Sequence, residues 1–160
     1  MEKDNINLRG KSPQQSKVEM TELVLPNDTN LKGNLLGGRL MHWIDIAGAM
    51  VAQRHCNKIV ATVLVDNIEF RHPIRMGEVV ILKAHLTWVG RSSMEVTVKS
   101  YAENFLTGSI ILANQAFITY VALGEDNRPT EVPALTLETE EEKVNFKEAE
   151  ERRNRRLENR

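Results

Sequence analysis

One carboxylate stands out because of where it lies: Asp45 falls in the middle of residues 38–55, a helix-length segment that is apolar on almost every side. A helix that is apolar all round is buried, and a buried carboxylate costs free energy unless it is paired, hydrogen-bonded or neutralised. Two interpretations follow. Asp45 is either a structural group with a partner such as Arg39 or Arg54, or a catalytic group that acts as a general base or a nucleophile.

A glycine pair, Gly37 and Gly38, comes directly before this segment. The N-terminus of a helix offers unpaired N–H groups and a positive dipole, and glycine has no side chain to keep a ligand oxygen away from them. The pair therefore predicts an oxyanion hole that polarises a carbonyl, with a tight, closely packed turn as the structural alternative. Asn34 precedes the pair and is a candidate to orient a water or the carbonyl; its alternative is a loop asparagine that closes an Asx-turn.

These candidate groups do not reach one another along a single helix. At 1.5 Å per residue, Asp45 lies about 10 Å from Gly38 along the helix axis, which is too far for both to serve one carbonyl. A second subunit related by a two-fold axis would remove the difficulty. The helix is also apolar on more sides than one sheet can cover, which independently favours a partner subunit.

Two polar segments are candidates to bind phosphate groups. Arg91, Ser92 and Ser93 form a turn whose guanidinium, hydroxyls and backbone amides suit such contacts, although an ordinary polar turn is an equal alternative. A basic cluster near the C-terminus could do the same, but a solvated helix face is the favoured interpretation there; the cluster comprises Arg152, Arg153, Arg155 and Arg156.

Hydrophobic periodicity predicts the elements that position these residues. The order is a strand, one long buried helix, a short β-branched strand that is also buried, and then alternating strands joined by tight turns. The predicted elements are strand 18–25, helix 38–55, strand 59–65 with a continuation to about residue 70, and strands 80–88, 94–99 and 110–123. The fold class is therefore α+β, with an antiparallel sheet wrapped around one long central helix.

The two ends of the chain differ from this central part. Residues 1–15 are polar and are predicted to be a flexible lead, residues 16–135 form the folded domain, and residues 136–160 form a charged C-terminal helix. Thr139, with Glu142 three residues later, matches a capping box at the start of that helix.

Bulk composition excludes several classes of function. The chain has 160 residues, a formal net charge of −1 and a single cysteine, so neither nucleic-acid binding nor an intrachain disulfide is expected. It carries no secretory signal and no membrane-length apolar run, which favours a cytoplasmic protein without membrane association. Its four histidines lack metal-ligand spacing, so no metal site is predicted.

The helix and the loop before it together resemble those of the hotdog-fold acyl-CoA thioesterases, in the group of the YciA-type and cytosolic brain acyl-CoA hydrolases. The most specific part of the resemblance is the set Asn30, Gly33, Asn34, Gly37, Gly38, Leu40, Met41, Ile44 and Asp45. It is supported by Arg54 to Cys56, by Val65 to Phe70 with Pro73, and by the turn Gly90 to Ser93.

The resemblance implies an enzyme that hydrolyses a fatty acyl-CoA thioester to the free acid and CoA. In that family the catalytic pair corresponds to Asp45 and Asn34, contributed by opposite subunits of a dimer, and dimers commonly assemble into hexamers as trimers of dimers. The turn Arg91, Ser92 and Ser93 would lie along bound CoA. No cofactor is implied, because CoA is part of the substrate and of the product.

Two other functions remain open on the same fold. A hydratase or dehydratase would need a histidine with a carboxylate, and His42 is the one candidate inside the helix besides the terminal His55. An acyl-CoA sensor would bind its ligand without turnover, although the short polar N-terminus is too small to hold a DNA-binding segment. The sequence does not set the preferred acyl chain length.

Overall fold

The computed structural model describes residues 9–159, apart from the side chain of Asn67. In this part of the chain, five antiparallel strands form one sheet in the order β1-β3-β4-β5-β2. The strands are β1 (Val18–Leu23), β2 (Ile59–Phe70), β3 (Val79–Val89), β4 (Ser93–Asn104) and β5 (Ser109–Leu123), and the helices are α1 (Gly37–Cys56) and α2 (Glu140–Glu158). The predicted α+β architecture, a sheet around one long helix with a charged C-terminal helix, is confirmed.

Helix α1 covers one face of the sheet and supplies the centre of the core. Its buried apolar residues recur at helical spacing and include Leu40, Ile44, Ala47 and Val51. The helix begins one residue earlier and ends one residue later than predicted, which is within the ordinary uncertainty of helix ends. Its C-cap is Asn57, whose backbone is left-handed.

The central strands present the alternation that the sequence predicts. On β3 the side chains of Val80, Leu82, Ala84 and Leu86 are buried beneath α1. Because successive side chains of a strand point to opposite faces, the intervening residues of β3 face away from α1. The single apolar face of this strand therefore fixes which side of the sheet receives the helix.

Strand β2 differs from its prediction as a buried strand. Among the strands of the described residues it pairs with β5 alone, and it forms an edge of that sheet. Several of its apolar side chains are exposed, with relative exposures of 73% for Ile59, 60% for Val63 and 58% for Phe70, whereas Val60, Val65 and Ile68 are partly buried against the core. A β-branched run indicates that a strand will be covered, but not whether the covering comes from the same chain.

Helix α2 lies on the opposite face of the sheet from α1 and is not simply solvated, which corrects the favoured interpretation of the basic cluster. Arg152 pairs with Glu95 of β4 at 2.7 Å, and both side chains are nearly buried. The Arg152 guanidinium also lies 3.7 Å from the centre of the Phe117 ring. Arg156 pairs with Asp66 at 3.1 Å. These two arginines anchor the helix, since a desolvated ion pair and a cation over a ring both favour a fixed position.

The start of α2 has the hydrogen bond expected of a helix N-cap. The Thr139 hydroxyl accepts a hydrogen bond from the Glu142 amide at 3.1 Å.

Of the predicted flexible lead, residues 1–8 lie outside the described residues. The Lys11 ammonium donates to the His55 carbonyl at 2.8 Å and thereby satisfies an orphan carbonyl at the end of α1. The proposed domain boundaries remain predictions.

Within residues 9–159, neither helix combines the length and the hydropathy that a membrane crossing requires.

Candidate active site

Asp45 lies on α1 where the helix crosses the ends of β2 and β5. Its Oδ1 atom accepts two hydrogen bonds, one from the Thr62 hydroxyl at 2.9 Å and one from the Tyr120 hydroxyl at 3.1 Å. Oδ2 has no hydrogen-bond partner among the described residues. The carboxylate is partly exposed, and not fully buried as the apolar helix predicts, so a water can reach it.

The structural explanation for Asp45 does not hold in this part of the chain. Arg39 pairs with Asp28 at 3.2 Å, and the Arg54 guanidinium donates to the Lys17 carbonyl at 3.0 Å. The carboxylate is thus held by two neutral hydroxyls and by no cation. Such an arrangement fixes the geometry of the group and keeps its negative charge available for chemistry.

Tyr120 supplies the more deeply buried of the two hydroxyls. Its side chain has no exposed surface, and its hydroxyl also lies 2.9 Å from the Asp45 main-chain carbonyl. Burial, together with the negative charge of Asp45, raises the pKa of Tyr120 far above its ordinary value. The phenol therefore stays protonated and acts as a donor.

The glycine pair forms the first turn of α1 in an open position. Gly37 and Gly38 are exposed, and the N-cap residue Leu36 supplies no side-chain hydrogen bond to them. Apart from the adjacent helix backbone, a Cβ at Gly38 would meet no described atom within 4 Å, and one at Gly37 would meet the Phe70 ring at 3.6 Å. The amides at this helix end are accordingly accessible to a carbonyl oxygen, as the oxyanion-hole prediction requires.

The loop before the glycine pair is organised by Asn30, a residue that the motif contains but that we did not predict to be functional. Its Oδ1 atom accepts hydrogen bonds from the amides of Lys32 and Asn34, at 2.9 and 3.1 Å. The Asx-turn considered for Asn34 is therefore closed by Asn30. The Nδ2 group of Asn30 has no acceptor within the described residues and is available as a donor.

A partly apolar cavity of about 330 Å³ opens beside this loop. It is lined by residues of the loop, of the first turns of α1 and of the end of β2, among them Asn34, Leu35, Gly37, Leu40, Phe70 and Ile74. Asn34 thus lies at the cavity wall, and the apolar side chains there suit an aliphatic chain.

The turn Arg91, Ser92 and Ser93 lies at the Asp45 end of the sheet. Ser93 pairs with Val121 of β5, the neighbour of Tyr120 along that strand. A second cavity of about 420 Å³ is lined by Arg91, Ser92 and residues 129–131. The Arg91 side chain is exposed and lies 3.4 Å from the Glu131 carboxylate, so its guanidinium is accessible to a phosphate.

Within one chain, the two halves of the site are far apart. Thr62 pairs with Tyr120 at one end of β2, whereas Phe70, which packs near Gly37, pairs with Asn114 at the other end. Along α1 itself, Asp45 lies eight residues beyond Gly37, about 12 Å at 1.5 Å per residue. The structure therefore brings Asp45 together with Thr62 and Tyr120, but not with the glycine pair or with Asn34.

The structure gives less support to the remaining candidate residues. His42 is exposed and makes no hydrogen bond or ion pair inside residues 9–159, so the histidine–carboxylate arrangement of a hydratase is not seen there. The same region holds no group of three side chains that could bind a metal ion. Thr62 and Tyr120 were missed because their contact with Asp45 depends on strand register, which no local motif signals.

The sequence is similar to those of known thioester hydrolases. A profile described as the thioesterase superfamily matches residues 32–107. An uncharacterized acyl-CoA thioester hydrolase of Bacillus subtilis is 44% identical over 128 residues, which are 80% of this chain and 74% of the relative.

Two solved structures are similar over nearly their whole length. An apo-hexameric acyl-CoA thioesterase superposes with a TM-score of 0.91 at 35% identity, covering 94% of this chain and 97% of that one. The acyl-CoA hydrolase of Staphylococcus aureus, in complex with butyryl coenzyme A, coenzyme A and coenzyme A disulfide, gives a TM-score of 0.84 at 33% identity over 93% of each chain. Alanine variants of that hydrolase at an aspartate, an asparagine and a threonine have also been solved.

Proposed function

This chain belongs to the thioesterase superfamily and hydrolyses acyl-CoA thioesters, and we propose that it does so at an active site shared between two subunits. The resemblance to hotdog-fold acyl-CoA thioesterases noted in the sequence is confirmed by the relatives and by the solved structures. The observation that carries the proposal is the accessible carboxylate of Asp45, which among residues 9–159 is held by two hydroxyls.

The free edge of β2 supports the pairing of two subunits. An exposed apolar edge strand is a template for another strand, and a two-fold axis makes such a contact antiparallel and self-complementary. The beginning of each β2 then lies opposite the end of its partner. The Thr62 end, with Asp45 above it, thus comes beside the Phe70 end of the second subunit, where Gly37 and Gly38 begin α1.

In the proposed mechanism, the carbonyl oxygen of the thioester binds at the amides of Gly37 and Gly38. The positive end of α1 stabilises the negative charge that develops on that oxygen. Asp45 of the other subunit takes a proton from water as the water attacks the carbonyl carbon. The carbon–sulfur bond then breaks, the proton passes to the departing sulfur, and the products are a carboxylic acid and CoA.

The catalytic amide is assigned to Asn30, with Asn34 as the alternative from the sequence. In the Staphylococcus aureus hydrolase, the replaced asparagine precedes the replaced aspartate by fifteen residues, and the replaced threonine follows it by seventeen. From Asp45, the same intervals in this chain fall on Asn30 and Thr62. The Nδ2 group of Asn30 would orient the attacking water or the carbonyl.

The substrate would extend along the interface. The turn Arg91, Ser92 and Ser93, at the Asp45 end of the sheet, is proposed to contact the phosphates of CoA. The acyl chain would enter the cavity between Leu40 and Phe70 of the subunit that provides the glycine pair. A trimer of such dimers is proposed because a hexameric thioesterase has a TM-score of 0.91 with this chain.

The test is release of the CoA thiol from a panel of short to long acyl-CoAs. We expect turnover by the wild type and a loss of about 10²- to 10⁴-fold in kcat for Asp45→Asn, the range that a general base contributes. The Asn side chain keeps an oxygen acceptor for Thr62 and Tyr120, so folding is preserved. Tight acyl-CoA binding without release at any chain length would contradict the proposal and favour a sensor.

Two asparagine variants separate the assignments of the catalytic amide. Asn30→Ala is expected to lose most of kcat, whereas Asn34→Ala is expected to change KM more than kcat because Asn34 lines the cavity. The reverse result would return the catalytic role to Asn34.

A further inference from the structure

We propose that Tyr120 is a positioning residue for the hydrolysis, and that Gly48 is a glycine because the Tyr120 hydroxyl needs its space to reach Asp45. The inference rests on the proposed role of Asp45 as the group that activates water. It concerns two residues, one in β5 and one in α1, that lie outside the motif described in the sequence.

The hydrogen bonds around Asp45 fix which carboxylate oxygen does the chemistry. Thr62 and Tyr120 both approach Oδ1, at 2.9 and 3.1 Å, and the Tyr120 hydroxyl also lies 2.9 Å from the Asp45 carbonyl. The single phenol proton is shared between Oδ1 and the Asp45 carbonyl, and together with the Thr62 hydroxyl it restrains Oδ1 and leaves Oδ2 to accept a proton. The buried Tyr120 ring cannot move away, since its side chain is enclosed by the core.

The register between β2 and β5 places the hydroxyls of Thr62 and Tyr120 side by side. Thr62 of β2 is the direct cross-strand partner of Tyr120 on β5, and the register shifts immediately afterwards, between Thr62 and Leu64. Residues directly opposite each other on antiparallel strands have side chains on the same face, about 5 Å apart. Both hydroxyls therefore point towards α1 at the level of a single helix residue.

Gly48 leaves room for the Tyr120 hydroxyl to reach Asp45. It follows Asp45 by three residues and so lies one turn along the same helix face. A Cβ at this position would clash with the Tyr120 hydroxyl oxygen and come within 3.0 and 3.1 Å of two ring carbons. Glycine is among the poorest residues for a helix interior, and its presence here is explained by the approach of Tyr120.

The protonation of Tyr120 is suited to this role. Burial and the charge of Asp45 both raise the pKa of the phenol, so the hydroxyl donates at every pH at which the enzyme would work. It takes no part in proton transfer itself. Its function is to orient a neighbouring group, and its loss should lower kcat without changing how acyl-CoA binds.

The experiment compares Tyr120→Phe with a matched control, Tyr101→Phe. Each variant removes a single oxygen; Tyr101 lies on β4, where its ring faces Lys83 at 5.5 Å. Because a hydrogen bond to a charged group is lost, we expect kcat of Tyr120→Phe to fall about 10- to 100-fold. KM is expected to stay within about twofold, and Tyr101→Phe to retain wild-type kinetics.

Gly48→Ala tests the same contact from the helix side. The added methyl group would displace the hydroxyl, so kcat should fall as it does in Tyr120→Phe. In the double variant, the loss should not exceed that of the worse single variant, because both changes remove one interaction. Thermal unfolding should also show that Gly48→Ala is better tolerated once the Tyr120 hydroxyl is gone, since its closest clash is then absent.

The outcomes separate this inference from the proposed function. Wild-type kcat in Tyr120→Phe, an equal fall in Tyr101→Phe, or multiplied losses in the double variant would each refute the positioning role alone. A wild-type protein that releases no CoA from any acyl-CoA would refute the proposed function and this inference with it. Should Gly48→Ala fail to fold, Tyr120→Phe decides the question by itself.

Discussion

Co-expressing two inactive variants, so that they assemble into mixed dimers, should restore activity if the active site is shared between subunits. The two chains are Asp45→Asn, which lacks the carboxylate, and Asn30→Ala, which lacks the amide beside the glycine pair. Asn30 lies in an exposed loop and accepts two backbone hydrogen bonds, so its replacement is expected to leave the core intact. In one chain, Asp45 lies eight residues beyond Gly37 on α1, about 12 Å along the helix axis, and the proposed two-fold axis would bring Asp45 of one subunit beside Asn30 of the other.

The size of the recovery follows from counting sites. When equal amounts of the two chains pair at random, half of the dimers contain one of each. In such a dimer, one site combines the intact Asp45 with the intact Asn30 and the other site carries both defects. The mixture should therefore reach about a quarter of the wild-type rate, whereas each parent alone retains roughly 1% or less.

The assay is CoA thiol release by co-expressed chains, with their ratio determined by intact mass. Mixing the separately purified proteins without exchange of subunits serves as the control and should show no recovery. If Asp45 and Asn30 of the same chain served one site, every site in a mixed dimer would still carry one defect. Activity that stays at the level of the parents would then refute the shared site.

Three further results are expected. Arg152→Met should lower the free energy of unfolding by about 3–5 kcal/mol because it leaves buried Glu95 without its cation. Adding Glu95→Gln should restore part of the lost stability, and a loss below about 1 kcal/mol in urea denaturation would contradict this account of α2. Burial lowers the pKa of His55 below its ordinary 6.5, so the folded state resists protonation and its stability should fall as the pH drops below about 6.5. The dependence of stability on pH should be weaker in His55→Gln, and an unchanged dependence would show that His55 is not its source. Val63→Lys, at the exposed edge of β2, should shift sedimentation towards smaller species, and unchanged assembly would exclude this edge as the interface.

Much of the fold was predictable because periodicity is a local property. Alternation along residues 80–88 predicted which face of β3 is buried, and that face lies under α1. The long apolar segment predicted α1 to within one residue at each end. The charges of residues 140–158 predicted α2 as a helix, but its docking by Arg152 onto Glu95 joins residues 57 positions apart.

The site was predictable only in part. Asp45 was identifiable because an ionisable group in an apolar helix is costly, and Gly37 and Gly38 because a helix start without side chains suits an oxyanion. Thr62 and Tyr120 were not, since their approach to Asp45 depends on the pairing of β2 with β5 and on the bulge after Thr62.

Residue types and their spacing within a few turns were enough to predict the α+β architecture, the position of the central helix and the carboxylate most suited to chemistry. Tertiary structure alone decided that β2 is an exposed edge, that Arg152 is used as an anchor, and that two hydroxyls hold Asp45. The physical reason is that a pattern states which surface of an element must be covered, whereas register and packing between distant segments decide what covers it.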